Sequence, residues 1–180
     1  MRLAAKGRRK PPDVSQHLAG SLPELLWLYP DRRFAETEVP PGPAVCPRCH
    51  ASLVTDHWQY DEQKYHRLRA LPDTRTLLCP GCTRVERRLY EGEVRIRHRW
   101  DIFEKETILN LIHNEEARAR VANPAARIAL IEDHGDELYV LTTTRFLAER
   151  IGKALYKACH GTLRRSPLPR ERFTRVWWER

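Results

Sequence analysis

The sequence predicts an α+β protein in which a four-cysteine metal-binding ribbon precedes a βαββαβ sheet domain, with a Pro-rich basic arm in front. Three observations predict it. Two Cys-Pro-x-Cys pairs stand 29 residues apart, at 46–49 and 79–82. Strand-period and helix-period apolar patterns alternate from residue 91 to the end. Seven of the thirteen prolines fall within residues 1–45. Leu, Ile, Val and Phe make up 41 of the 180 residues, which is enough for a modest core in a chain of one or two small domains.

The elements divide at 1–43, 44–90 and 91–180. Residues 1–17 read as a flexible basic arm, and Leu18, Leu22, Leu25, Leu26 and Trp27 as a short helix beyond it. Pro40-Pro41-Gly42-Pro43 is a linker, since such a run neither continues a helix nor sits inside a sheet. The basic start, Arg2 to Lys10, runs into Pro11-Pro12 with no apolar segment behind it, so no export signal is expected. No stretch approaches the roughly 20 apolar residues of a membrane span. A cytoplasmic protein with no membrane partner is the expectation, and in that reducing compartment five cysteines point to metal rather than disulfides.

Cys46, Cys49, Cys79 and Cys82 form C-x2-C-x29-C-x2-C, two knuckles that each put two sulfurs on one tight turn. Four thiolates suit one tetrahedral Zn²⁺, and because four cysteines close the shell, the site is expected to be structural. Pro at the second knuckle position fixes φ, and Gly81 lets the backbone close on the sulfurs. The spacing between knuckles exceeds the usual 15–20 or so, which implies an insertion, placed at His57-Trp58-Gln59-Tyr60-Asp61-Glu62. Strands are expected near 52–56, 76–78 and 84–90, the arrangement of a zinc ribbon. His50, His57 and His66 could each take a cysteine's place at the metal, but read first as surface or turn residues. The Cys-x-x-Cys-His at 46–50 also matches haem attachment, which belongs to exported chains and is set aside.

In the second half, Val94 and Ile96 alternate with Arg95 and Arg97, a half-buried strand over 93–98. Asp101, with Glu104 three residues on, caps a helix whose stripe is Ile108, Leu111 and Ile112 and which stops before Asn123-Pro124. Strands at 127–132 and Glu137–Thr142 flank the turn Asp133-His134-Gly135-Asp136. Thr143 or Thr144 caps a second helix with Leu147, Ile151, Leu155 and Ala158 on one side, closed by Gly161. A strand over 173–179 ends the chain. This order is the split βαβ, ferredoxin-like one. Cys159 reads as a small buried apolar residue.

The two C-P-x-C knuckles, the Gly-x-Val-x-Ile strand at 92–96, the helix from Glu106 to Glu116, Leu138-Tyr-Val-Leu-Thr-Thr-Thr144 leading to Leu147-Ala-x-x-Ile151-Gly152, and the closing Arg175-Val-x-Trp178 together resemble a bacterial zinc-ribbon family. That family is similar to the N-terminal part of the large-ribosomal-subunit export adaptor of archaea and eukaryotes, named for nonsense-mediated decay. The resemblance covers about residues 44–180. The adaptor carries two four-cysteine sites where this chain has cysteines for one, and His50 stands where a glycine commonly follows a knuckle. The resemblance implies a ribosomal setting.

Charge points the same way. The chain carries +8 at neutral pH, and residues 143–180 alone hold ten basic and three acidic side chains, whereas 91–142 hold seven and eleven. If the first and last strands of the second half pair, Arg95, Arg97, Arg99, Arg175 and Trp177 share the open sheet face by the two-residue strand period. Arg164 and Arg165, in the connection before the last strand, extend it, with Arg170 and Arg172. Arginines with a stacking aromatic suit RNA. The expectation is a non-enzymatic, Zn²⁺-binding protein that associates with RNA or a ribosomal subunit through this face. The alternative is a zinc-stabilised adaptor for a protein partner.

Overall fold

In the computed structural model the described residues are 42–99, 102–167 and 173–180. The N-terminal arm and its expected helix, the Asp101 cap, and Arg170 and Arg172 lie outside them. The described chain builds two sheets and four helices, in the order β1 (Ala44–Val45), β2 (Ala51–Val54), β3 (His57–Tyr60), α1 (Glu62–Arg69), β4 (Arg75–Thr76), α2 (Pro80–Glu86), β5 (Gly92–Arg97), α3 (Ile102–Ala122), β6 (Ile128–Asp133), β7 (Glu137–Thr142), α4 (Arg145–Cys159), β8 (Thr162–Pro167) and β9 (Thr174–Glu179).

The smaller sheet has the order β3-β2-β1-β4. Thr55 and Asp56, both at positive φ, make the two-residue turn between β2 and β3 that matches the twist of a hairpin. The segment placed as an insertion, 57–62, is therefore the return strand of this hairpin plus the start of α1, capped by the Asp61 carboxylate accepting from Lys64 N–H. The strand expected over 84–90 is instead α2 and the loop after it. Pro80 occupies the first helical turn, where its fixed φ fits and its missing N–H costs nothing, and Cys79 caps the helix. The strand expected over 76–78 is a two-residue bridge, Arg75–Thr76, parallel to β1.

The larger sheet has the order β6-β7-β5-β9-β8. The elements expected from residue 91 occur in sequence as far as α4, whose cap is Thr144 and whose end is turned by His160 and Gly161, both at positive φ. Beyond α4 the arrangement departs from a four-stranded ferredoxin-like sheet. An additional strand, β8, comes first, and β9 returns antiparallel to it and inserts beside β5, to which it runs parallel. The first and last strands pair as expected, but through an added hairpin. Val94, Ile96, Leu138, Val140, Val176 and Trp178 point toward α3 and α4 and form the main core with Ile108, Ile112, Leu147, Ile151 and Leu155. Ala158, expected on the α4 stripe, is exposed, and the half-buried Cys159 packs on the core in its place.

Candidate metal centre

The first knuckle joins β1 to β2. Cys46 N–H donates to Ala51 C=O and His50 N–H to Cys46 C=O, so the backbone turns through 47–49 and both sulfurs face inward. His50 sits at φ 60°, the left-handed conformation that explains why glycine suits this position. The second knuckle is the start of α2: Cys79 Sγ accepts from Cys82 N–H at 3.5 Å. Each knuckle belongs to a short element that carries few apolar residues. Cys46, Cys79 and Cys82 are themselves a large part of the smaller core, with Ala44, Ala51, Leu53 and Trp58.

All four Sγ atoms lie within 4.8 Å of one another, and Cys49 Sγ and Cys79 Sγ are 3.5 Å apart. Sulfurs about 2.3 Å from a tetrahedral zinc would be about 3.8 Å from each other, so the donor set fits one Zn²⁺ in number, chemistry and spacing. The sulfurs also compete for protons. Cys49 is held well below the usual thiol range because Cys46, Cys79 and Cys82 all direct hydrogen bonds to its sulfur. Cys82 is pushed far up by donating to Cys46, Cys49 and Cys79, with burial adding to the effect. A divalent metal replaces those shared protons and lets all four sulfurs ionise. The imidazole of His50 is engaged elsewhere: its Nδ1 lies 2.7 Å from Glu62 Oε1 and its ring stacks on Tyr65 at 4.1 Å.

Two residues beside the cluster have no sequence signal. Arg127, buried at the entrance to β6, directs Nη2 to Cys49 Sγ at 3.3 Å and to Cys79 Sγ at 3.7 Å, and hydrogen-bonds the Tyr60 hydroxyl. Burial acts to lower the Arg127 pKa, yet Tyr60 and the neighbouring Cys79 and Cys49 outweigh it and hold the guanidinium charged. Burial likewise pushes the Tyr60 phenol up, against the pull of Arg127. Tyr60 falls in the stretch read as an insertion, and Arg127 lies 45 residues beyond Cys82. Only the tertiary fold brings them together.

The expected nucleic-acid face is assembled in part. Register places Tyr139, Arg95, Trp177 and Arg164 in one row across β7, β5, β9 and β8, with Glu137, Arg97 and Glu179 in a neighbouring row. The same two-residue period brings the carboxylates Glu137 and Glu179 to that face. Arg95 pairs with the fully buried Glu93, and Arg175 Nε lies 3.5 Å from the same carboxylate. Arg97 pairs with Glu137 at 2.5 Å and Arg164 with Glu179 at 3.4 Å. Trp177 is half-buried. Arg165 belongs to the other side: it opposes Val176, whose side chain enters the core, and binds Glu149 of α4 at 3.0 Å. Arg99 is exposed just past β5, where it lines an open depression of 590 Å³ with Arg97, His98, His134, Asp136, Glu137 and Arg180.

No protein-family model, curated protein or solved structure matches the chain. Among the described residues no helix is long and apolar enough to cross a membrane.

Proposed function

We propose that this chain is a non-enzymatic zinc-binding protein that associates with RNA, the ribosome being the setting its resemblance suggests. The observation that carries the zinc half is the cluster of four cysteine sulfurs within 4.8 Å. Four thiolates fill a tetrahedral shell and leave the ion no position for substrate, so its task is to hold the fold. Support for the RNA half comes from the net charge of +8 and from Arg97, Arg99 and Arg180 gathered around one depression, with Arg164 and Trp177 on the adjoining strands. Guanidinium groups of this kind contact phosphates and stack on bases.

A titration of ribosomal RNA fragments and ribosomal subunits over a salt series tests it. Affinity is expected to fall steadily as salt rises, and the joint Arg97→Glu, Arg99→Glu, Arg164→Glu variant to bind at least about tenfold more weakly, since each phosphate contact is an electrostatic one. Salt-independent binding, or a triple variant that binds as the parent does, overturns the RNA reading. The second reading, a protein adaptor, is favoured by the Arg–Glu pairing that leaves the sheet face of mixed charge. It is also favoured by the exposed aromatics Phe146 and Tyr156 on α4. Its signature is capture of one defined protein after nuclease treatment.

A further inference from the structure

The structure points to the metal centre as the latch that fastens the two halves of the chain together, with Arg127 as the positioning residue that links zinc occupancy to docking. The inference rests on reading the four cysteines as a zinc site, and it adds what that site does beyond the ribbon.

Four thiolates on one Zn²⁺ carry a net charge of −2, and three of these four cysteines are buried. Such a charge in the interior needs compensation. N–H donors directed at the sulfurs supply it, and the groups around a metal's ligands set its affinity as well as their orientation. Cys82 N–H supplies one such donor from the ribbon itself, to Cys79 Sγ, and the charged donor comes from the other half of the molecule. Arg127 Nη2 faces Cys49 and Cys79, while Nη1 donates to Ala126 C=O at 3.0 Å and the backbone N–H to Thr143 Oγ1 at 2.7 Å, so the residue is anchored in its own unit on one side and meets the ribbon on the other. Tyr60 at the end of β3 is held by the same cation through its hydroxyl, and its ring receives both Arg127 at 4.9 Å and Arg120 of α3 at 4.7 Å.

The fit around the second knuckle is equally close. A Cβ on Gly81 would stand 2.4 Å from Pro124 C=O and 2.8 Å from Arg127 Cγ, so the Cys-Pro-Gly-Cys turn admits the second half only because residue 81 has no side chain. Arg84 Nε donates to Thr143 C=O at 3.1 Å beside it. With zinc bound, Arg127 neutralises part of a dianion. With the metal gone, nothing holds the four sulfurs together opposite Arg127 Nη2, and the buried guanidinium loses the fixed partner that it faces at Cys49 and Cys79. Docking therefore favours the loaded centre, and by reciprocity the loaded centre favours docking.

The experiment uses the full chain, Arg127→Met and Arg127→Lys, with zinc content by elemental analysis, zinc release to a chromogenic chelator, and amide hydrogen exchange before and after chelation. The parent and both variants are expected to hold one zinc per chain. Arg127→Met should release it about 10–100-fold faster, the usual scale for loss of a group that supports metal ligands, and Arg127→Lys should fall between. Chelation of the parent should raise exchange at the amides of Arg127 and Thr143. Equimolar zinc with a parental release rate in Arg127→Met overturns the inference and leaves the zinc site standing. So does unchanged protection of those two amides after chelation of the parent, a measurement that does not depend on any variant folding. Absence of zinc from the parent overturns both.

Discussion

At the scale of single residues, side chains at the metal centre are selected by backbone conformation as much as by chemistry. His50 follows the first knuckle at φ 60°, where a β-carbon costs about 1–2 kcal/mol relative to a right-handed residue. What offsets this is its ring, packed flat on Tyr65 and bonded to Glu62. Asn tolerates the left-handed region better than most residues. His50→Asn is thus expected to keep one zinc per chain, by elemental analysis, and to stay within about 1 kcal/mol of the parent in urea unfolding. Loss of the metal would show that the imidazole is a ligand. Glu137 illustrates a pH effect at the same scale. The Tyr139 hydroxyl at 2.6 Å, and then Arg97, hold its carboxyl below the ordinary range. A depressed folded pKa means that the stabilisation is present above the unfolded carboxyl value of about 4.3 and disappears as pH falls through the folded one. Glu137→Gln should therefore be less stable than the parent near neutral pH and converge on it in acid, as read from unfolding midpoints across that range. The four cysteines were legible in the sequence because a metal demands thiolates in adjacent pairs on turns. Arg127 was not, because its role depends on a tertiary approach that leaves no local pattern.

At the scale of elements, the sequence carried the most information where one face of a helix or strand meets the core. The stripes of α3 and α4 and the alternation of Val94 and Ile96 with Arg95 and Arg97 in β5 are real burial patterns, and these elements, with β7, lie within a residue or two of their expected bounds. The elements that escaped notice are those with little burial to record. β8 is an edge strand with Leu163 as its apolar contact to the core and Pro167 at its end, so it reads as a basic loop. α2 spans seven residues, too few for a helical period, and its start is dictated by the Cys79-Pro80 cap. Packing of α4 on the sheet is set by a residue that propensity alone would disfavour. Gly152 lies mid-helix, and a Cβ there would meet Val176 Cγ1 at 2.5 Å and Leu163 Cδ1 at 3.1 Å. Alanine raises helix propensity by about 1 kcal/mol, but overpacking a close helix–strand contact typically costs about 1–3 kcal/mol. Because Val176 is fixed within β9 between β5 and β8, overpacking wins, and Gly152→Ala is expected to lower the urea midpoint at unchanged slope. A gain in stability would mean that α4 can move away from the sheet without loss.

At the scale of the whole molecule, the two sheets are stabilised by different means, and this sets how the chain responds to loss of metal. The larger sheet closes on α3 and α4 through thirteen buried side chains, and Glu115 of α3 ties the helices together by accepting from Arg150 of α4 at 2.5 Å. Its stability comes from apolar burial, which a chelator does not touch. The smaller core gathers seven buried residues, three of them cysteines of the cluster, beside strands of two to four residues. Without a metal those sulfurs are a handful of small side chains that cannot offset the entropy of ordering the segment. Zinc removal is therefore expected to split unfolding into two transitions. Residues 44–90 should lose amide protection and fluorescence contrast at Trp58 under conditions that leave β5 to β9 and both helices intact by circular dichroism. Cys46→Ser or Cys79→Ser should behave as the chelated parent does without any chelator. In contrast, Ile112→Ala, in the main core, should cost about 2–5 kcal/mol and weaken the second transition while the zinc content stays at one per chain. A single cooperative transition for the metal-free protein would show that the smaller core stands without its ion, and would remove the metal from the account of how this fold is held.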